Sequence, residues 1–247
     1  TKQVGPFQRR PALATSSEEI KDAAGFFFDT SHGMKSFGDQ YLLYSSIEEF
    51  DPMIKKGLRR VALVGTPCQI KSVRRMQTLG LVPSESVQLC LGLFCSGNFT
   101  FGEDQRRGLA AAGGFSWEDV RKVNIKDDFM VHLKSGEVKS IALDDLQFLR
   151  RYACRFCPDY AAEFADIAFG GIGAEEGWTT VLIRSPLGRA AFADAKGAAV
   201  LEEFSVKMNP NFATQALAKV RSWSAKKRKT AQQNRRQLGP KAVQVKD

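Results

Sequence analysis

The sequence predicts an α/β fold: a mostly parallel sheet with flanking helices, a small antiparallel meander and a basic helical C-terminal tail. Three observations lead there. Residues 61–65 and 87–94 are short, nearly continuous apolar runs of the kind that fill a sheet buried on both faces. Between them Ile70, Val73, Met76 and Leu79 recur at helical spacing with Lys and Arg interleaved, and Gly80 supplies a stop. A strand, a helix and a strand within roughly 35 residues make a βαβ unit, whose crossover sets its strands parallel. Residues 120–143 then change to short alternating runs around a turn at Lys134, Ser135, Gly136 and Glu137, which is the signature of antiparallel hairpins.

The remaining elements follow in order. Ser16 caps a short helix over 16–24 that Gly25 closes, because a Ser hydroxyl and first-turn acids satisfy the orphan N–H groups. Helical patterns cover 41–50 and 52–56, ahead of the first apolar strand. Residues 144–151 read as a helix leading to Cys154 and Cys157, residues 165–169 as a strand, and Gly170, Gly171 and Gly173 as a glycine-rich loop. A strand over 178–184 and a helix over 187–196 come next, and the chain beyond 205 turns helical and basic. The expected organisation is an α/β domain over 1–204, with the meander inserted at 119–144, and a basic helical tail over 205–247.

A chain of 247 residues with 43% hydrophobic content buries a substantial core. Its longest apolar run, 87–94, is interrupted by Gln88 and is far shorter than the roughly 20 residues that span a bilayer, so no membrane span is expected. The first residues carry neither an initiator Met nor a charged-then-apolar leader and read as an internal start. The net charge of +9 is concentrated at the end: residues 219–247 hold ten Lys/Arg and one acid, whereas residues 1–218 hold 26 of each sign. A balanced body argues against nucleic-acid binding, which needs a basic folded face. Five cysteines without a secretory signal argue against a disulfide framework, and a cytoplasmic protein is expected, with metal or redox use of the thiols the open question. No nucleophilic triad or hydrolytic metal motif is present, and His32 and His132 form no ligand pattern.

Cys154 and Cys157 are separated by two residues, which lets both thiolates reach one centre from a single turn. A thioredoxin-like pair, a zinc knuckle, an iron–sulfur ligand pair and chance all produce that spacing. A thioredoxin pair opens a long helix, which Pro158 disfavours here. A structural zinc site usually pairs two knuckles, whereas Cys68 and Cys95 lie apart, each just past a predicted strand, which suits a cluster assembled from distant loops. The carboxyl rim of a parallel sheet is where α/β folds gather ligands, so these two thiols are expected to converge. Cys90 falls inside the apolar strand as a small hydrophobe and is left out. The glycine-rich loop is a weak phosphate cradle because no long helix starts there, and Trp178 either walls a flat heterocycle or fills the core.

Taken together, Gly65, Thr66, Pro67, Cys68 and Gln69; Gly92, Leu93, Phe94 and Cys95 with Asn98 and Phe99; Cys154, Arg155, Phe156, Cys157, Pro158 and Asp159; and Gly170, Gly171, Ile172 and Gly173 followed by Gly177, Trp178, Thr179, Thr180 and Val181 resemble the beta subunits of coenzyme F420-reducing hydrogenases. The same family occurs in F420-linked formate dehydrogenases and F420H2 dehydrogenases, and the likeness in order and approximate spacing extends from about residue 11 to residue 195. The resemblance implies a [4Fe–4S] cluster held by Cys68, Cys95, Cys154 and Cys157, an FAD beside it, and coenzyme F420 as the hydride-carrying substrate. By the same carry-over Thr66, Gln69, Asn98, Asp159, Gly171, Gly173, Trp178 and Thr179 surround the flavin. The implied role is that of an oxidoreductase subunit for electron transfer, partnered by other subunits of a hydrogenase, formate dehydrogenase or heterodisulfide reductase-like complex.

Two departures from the family define an alternative. The chain begins after the family's N-terminal glycine-containing segment, and Phe26, Phe27 and Phe28 stand where relatives place a hydroxyl residue and Lys–Tyr after the glycine corresponding to Gly25. A non-catalytic iron–sulfur relay that has lost its flavin is consistent with both. A zinc-stabilised binding module using the basic tail is the third reading.

Overall fold

The computed structural model describes residues 2–5, 8–10, 54–100, 102–125, 128–175, 177–204 and 210–238. In chain order the elements are β1 (Lys2–Gly5), β2 (Gln8–Arg10), β3 (Val61–Gly65), α1 (Pro67–Thr78), β4 (Val87–Leu93), α2 (Glu103–Gly113), β5 (Val120–Ile125), β6 (Phe129–Leu133), β7 (Val138–Ile141), β8 (Ile167–Gly170), β9 (Thr180–Ile183), α3 (Pro186–Gly197) and α4 (Phe212–Leu238), with short 3₁₀ turns between some of them. They form two compact units: Thr1–Met53 with Gly97–Cys154, and Ile54–Ser96 with Arg155–Asp247. The helices expected at 16–24 and 41–50, the Phe26 to Phe28 run and His32 lie outside the described residues.

The second unit is built on a four-stranded sheet in the order β3, β4, β8, β9. The first two pairings are parallel and the last antiparallel, so the mostly parallel sheet expected from the sequence is present. The βαβ crossover is formed by α1. Thr66 is its N-cap and Pro67 its first helical residue, where the missing N–H leaves nothing unsatisfied. Ile70 and Val73 are its buried positions, and Gly80 takes a left-handed conformation (φ +65°) just beyond the end.

The segment after Cys157 docks directly on β4. A Cβ on Gly92 would fall 2.3 Å from the Ala162 Cβ and 2.8 Å from the Ala165 Cβ, so only glycine permits this approach. Asp166 fixes the docking. Its N–H donates to the Cys90 carbonyl at 2.8 Å, and its carboxylate accepts the Cys90 N–H at 2.7 Å. The same carboxylate pairs with Arg74 of α1 at 2.8 Å and accepts the Ser185 hydroxyl at 2.6 Å. Ser185 in turn caps α3 by accepting the Gly188 N–H at 3.0 Å. One buried carboxylate therefore ties together β4, β8, α1 and α3. Cys90 is fully buried beside it, and burial pushes its thiol above the ordinary range, with Arg74 opposing and Asp166 adding to the rise.

In the first unit β5, β6 and β7 form the expected antiparallel meander. Phe129, Val131 and Leu133 alternate inward along β6 and join Leu109, Val123, Ile141, Leu146 and Leu149 in one core. Gly136, at φ +94°, makes the predicted turn between β6 and β7. α2 ends at Gly114 in the left-handed region, and the Trp117 indole N–H donates to the Arg106 carbonyl at 2.7 Å. β1 and β2 pair antiparallel.

The helix expected over 144–151 is not formed. Leu143–Leu146 makes a 3₁₀ turn, after which the chain pairs with residues 98–100. The Thr100 N–H donates to the Leu149 carbonyl at 2.7 Å and the Arg151 N–H to the Asn98 carbonyl at 2.8 Å, on either side of a Phe99–Arg150 bridge. Long-range pairing thus takes the backbone groups that a helix would use internally, and it leaves Leu146 and Leu149 fully buried.

Two outcomes are expected. Asp166→Ala strands the Cys90 N–H and the partly buried Arg74, and is predicted to lower stability by about 2–4 kcal/mol in denaturant unfolding. Cys90, buried and shifted toward the neutral thiol, is predicted to stay unmodified by iodoacetamide at pH 8 in the folded chain and to react on unfolding, read by mass spectrometry.

Candidate functional site

Parallel register aligns two of the thiols. Gly65 of β3 is paired with Gly92 of β4, and Cys68 and Cys95 each follow that pair by three residues. Both therefore lie past the carboxyl ends of adjacent parallel strands. Cys68 sits in the first turn of α1, where orphan N–H groups favour negative charge. The Cys95 N–H donates to the Tyr160 carbonyl at 2.8 Å, so the loop after β4 is joined to the loop carrying Cys157. Cys154 belongs to the first unit, where the Asn98 N–H donates to its sulfur at 3.4 Å. It lies on the 3₁₀ turn Tyr152–Phe156, with Cys157 three residues on.

All four of these thiols are partly exposed, whereas Cys90 is buried. Their donor chemistry fits iron–sulfur ligation, in which each iron of a [4Fe–4S] cluster takes one thiolate. Metal-bound thiolates accept hydrogen bonds, and the Asn98 N–H already donates to Cys154, while the Thr66 hydroxyl, whose proton goes to Gln69, lies 3.2 Å from the Cys68 sulfur. The Cys157 thiol points its proton at the Asp159 carbonyl, 3.7 Å away, a weak contact that ligation would replace. Among the described residues no three His, Cys, Asp or Glu side chains converge closely enough to hold one ion. A cluster spreads its thiolates over several irons and does not need that convergence.

The eight residues carried over as flavin neighbours divide into two groups. Gln69 and Thr66 are committed to the start of α1, with the Gln69 carbonyl oxygen accepting the Thr66 N–H at 2.9 Å and the Thr66 hydroxyl at 3.1 Å. The Asp159 carboxylate accepts the Glu163 N–H at 3.0 and 3.2 Å. Burial pushes its carboxyl above the ordinary range; the Glu163 charge adds to this, while the Glu163 N–H, Lys227 and Arg184 oppose it. Gly173 (φ +85°) accommodates α4, since a Cβ there would lie 2.7 Å from the Ala216 Cα. Trp178 packs edge-on against Phe204 at 5.1 Å. Asn98, Gly171 and Thr179 are different. Asn98 is 3% exposed, yet its carboxamide makes no hydrogen bond among the described residues, a cost of about 1–3 kcal/mol that a ligand or water would relieve. A Cβ on Gly171 would meet nothing within 4 Å, and Thr179 is exposed.

Sequence reasoning missed the contribution of α4. Lys227 lies on the same helical stripe as the buried Ala216, Val220 and Ala231, and its ammonium donates to the carbonyls of Cys95 at 2.5 Å and Asp159 at 2.8 Å. The Asn234 amide donates to the Arg155 carbonyl at 2.8 Å, and Arg235 to the Phe156 carbonyl at 3.1 Å. Arg228 pairs with Glu163. The available signal is a lysine at apolar spacing, which composition alone groups with the solvated charge around it. Tyr160 packs between Phe94 and Trp223, with ring centroids 5.6 and 5.8 Å away. Burial, with the Cys95 charge second, pushes its hydroxyl up to about 12, so it stays a neutral phenol.

The chain is 33% identical over 195 residues to a coenzyme F420 hydrogenase subunit beta from Methanococcus voltae, a match covering 78% of this chain and 65% of that one. It is 26% identical over 237 residues to a protein of the same description from Methanothermobacter thermautotrophicus, covering 93% and 78%. The chain thus spans about two thirds to four fifths of the length of these two relatives. Its fold matches a chain in the xenon-derivatised F420-reducing [NiFe] hydrogenase complex from Methanosarcina barkeri, with a TM-score of 0.78 at 23% identity over 98% of this chain and 79% of that one. No described helix is long and apolar enough to cross a membrane. Residues 58–208, which include all four partly exposed cysteines, match the family described as the C terminus of the coenzyme F420 hydrogenase/dehydrogenase beta subunit, and the chain belongs to that family.

Proposed function

We propose that this chain is an electron-transfer subunit of an oxidoreductase complex, holding a [4Fe–4S] cluster on Cys68, Cys95, Cys154 and Cys157 and exchanging electrons with coenzyme F420 through an FAD. The observation that carries the reading is the register of Gly65 with Gly92, which puts Cys68 and Cys95 at one end of the sheet, next to the loop that carries Cys157. A bound flavin would divide the two electrons of a hydride into single transfers that an iron–sulfur cluster can accept.

The chain's own residues would do the positioning. The Asn98 N–H addresses the Cys154 sulfur and Thr66 lies beside Cys68; each within its own unit, the Asn98 carboxamide, which has no hydrogen bond among the described residues, and the open Gly171 would be available to a polar ligand. Partner subunits of hydrogenase, formate dehydrogenase or heterodisulfide reductase-like complexes would supply or take the electrons. The second reading, a relay that keeps the cluster without a flavin, is favoured by the committed state of Thr66, Gln69, Asp159, Gly173 and Trp178.

Anaerobic iron, sulfide and flavin analysis of the native complex, alongside a Cys154→Ala variant, separates these readings. The expected result is about four irons and four sulfides that depend on Cys154, with one FAD attributable to this chain. Iron without flavin selects the relay. Stoichiometric zinc without sulfide, or no iron in undamaged protein, removes both.

A further inference from the structure

Lys227 is the one charged residue among the described inward positions of α4 that reaches the backbone of two cysteine loops at once. Val220 lies seven residues before it and Ala231 four after, so the packing of the helix turns it inward, and it is half-buried. Its ammonium spends two N–H groups on carbonyls that are far apart in sequence, Cys95 and Asp159. Asn234 and Arg235, two turns further on, take the carbonyls of Arg155 and Phe156. α4 therefore holds the loop around Cys157 at three points and the Cys95 loop at one, and Lys227 is the α4 side chain that bonds to both, beside the direct Cys95–Tyr160 backbone bond. Helix α4 starts at Phe212, beyond the residues 58–208 that match the family.

We infer that Lys227 is a positioning residue that clamps the Cys95 loop to the Cys157–Asp159 loop and sets a fixed positive charge beside the thiolates. The inference rests on the proposed cluster for its redox consequence but not for the clamp itself. Charge-assisted hydrogen bonds from one ammonium to two carbonyls restrain the relative position of the loops. A nearby cation stabilises the more negative, reduced state of a cluster, so removing it lowers the reduction potential.

The test uses Lys227→Met, which preserves the apolar stem, and Lys227→Arg, which preserves the charge. In the native complex, Lys227→Met is expected to release iron to a chelator about tenfold faster than wild type and to show a lower cluster potential by EPR-monitored titration, while Lys227→Arg stays close to wild type. In the iron-free full chain, alkylation is followed against pH, and on the high-pH plateau, where the thiols are ionised in both proteins, the rates of Cys95 and Cys157 are expected to rise in Lys227→Met with Cys68 and Cys90 unchanged. Wild-type rates for Cys95 and Cys157 in Lys227→Met overturn the clamp, and so does an equal acceleration at all cysteines, which reports loss of the helix. Absence of iron in the wild-type complex refutes the proposed cluster and leaves the alkylation rates to decide the clamp.

Discussion

The carboxylate of Asp166 is the interaction on which the second unit depends. It meets the Cys90 N–H, the Arg74 guanidinium and the Ser185 hydroxyl, while its own N–H meets the Cys90 carbonyl. These contacts enter β8 beside β4 and seat residues 161–165 against Gly92. The position of the Cys157 loop follows, because it is the chain immediately before this docked segment. A buried carboxylate is stabilising only when every lone pair has a partner, and here the partners come from different elements. The same contacts that satisfy Asp166 thus bring the loops of Cys95 and Cys157 to one end of the sheet.

Around the thiols the two kinds of backbone group are treated differently. The Asn98 N–H approaches the sulfur of Cys154, while the carbonyls of Cys95, Arg155, Phe156 and Asp159 are turned to cationic or amide groups of α4. Thiolates are stabilised by the first arrangement and carbonyl dipoles are neutralised by the second. Tyr160, held as a neutral phenol between Phe94 and Trp223, adds bulk without adding charge.

Much of this is legible in the sequence because it rests on local periodicity. The apolar run at 61–65, the helical spacing of Ile70 and Val73, and the alternation of Phe129, Val131 and Leu133 each encode an element by themselves. The cysteines are legible through spacing and through their positions past strands. The 144–151 segment misleads because its spacing of Leu146 and Leu149 serves a 3₁₀ turn and an extended pairing as well as a helix, and the deciding partner, residues 98–100, is far away in sequence. Lys227 is hidden for the opposite reason: its neighbours Lys226, Arg228 and Lys229 suggest a solvated run, and only the stripe through Ala216, Val220 and Ala231 shows which of the four charges turns inward. The dual use of Gly171 and Gly173, one open and one filled by α4, depends on a contact with Ala216 that composition does not encode.

The partly exposed thiols, two of them placed past the carboxyl ends of adjacent parallel strands, are proposed as iron ligands. X-ray absorption at the iron edge, on the full chain purified without oxygen, tests this proposal most directly. A first shell of sulfur alone with iron–iron scattering behind it is expected. A shell containing nitrogen or oxygen without iron–iron scattering, or no iron absorption from intact protein, would contradict it.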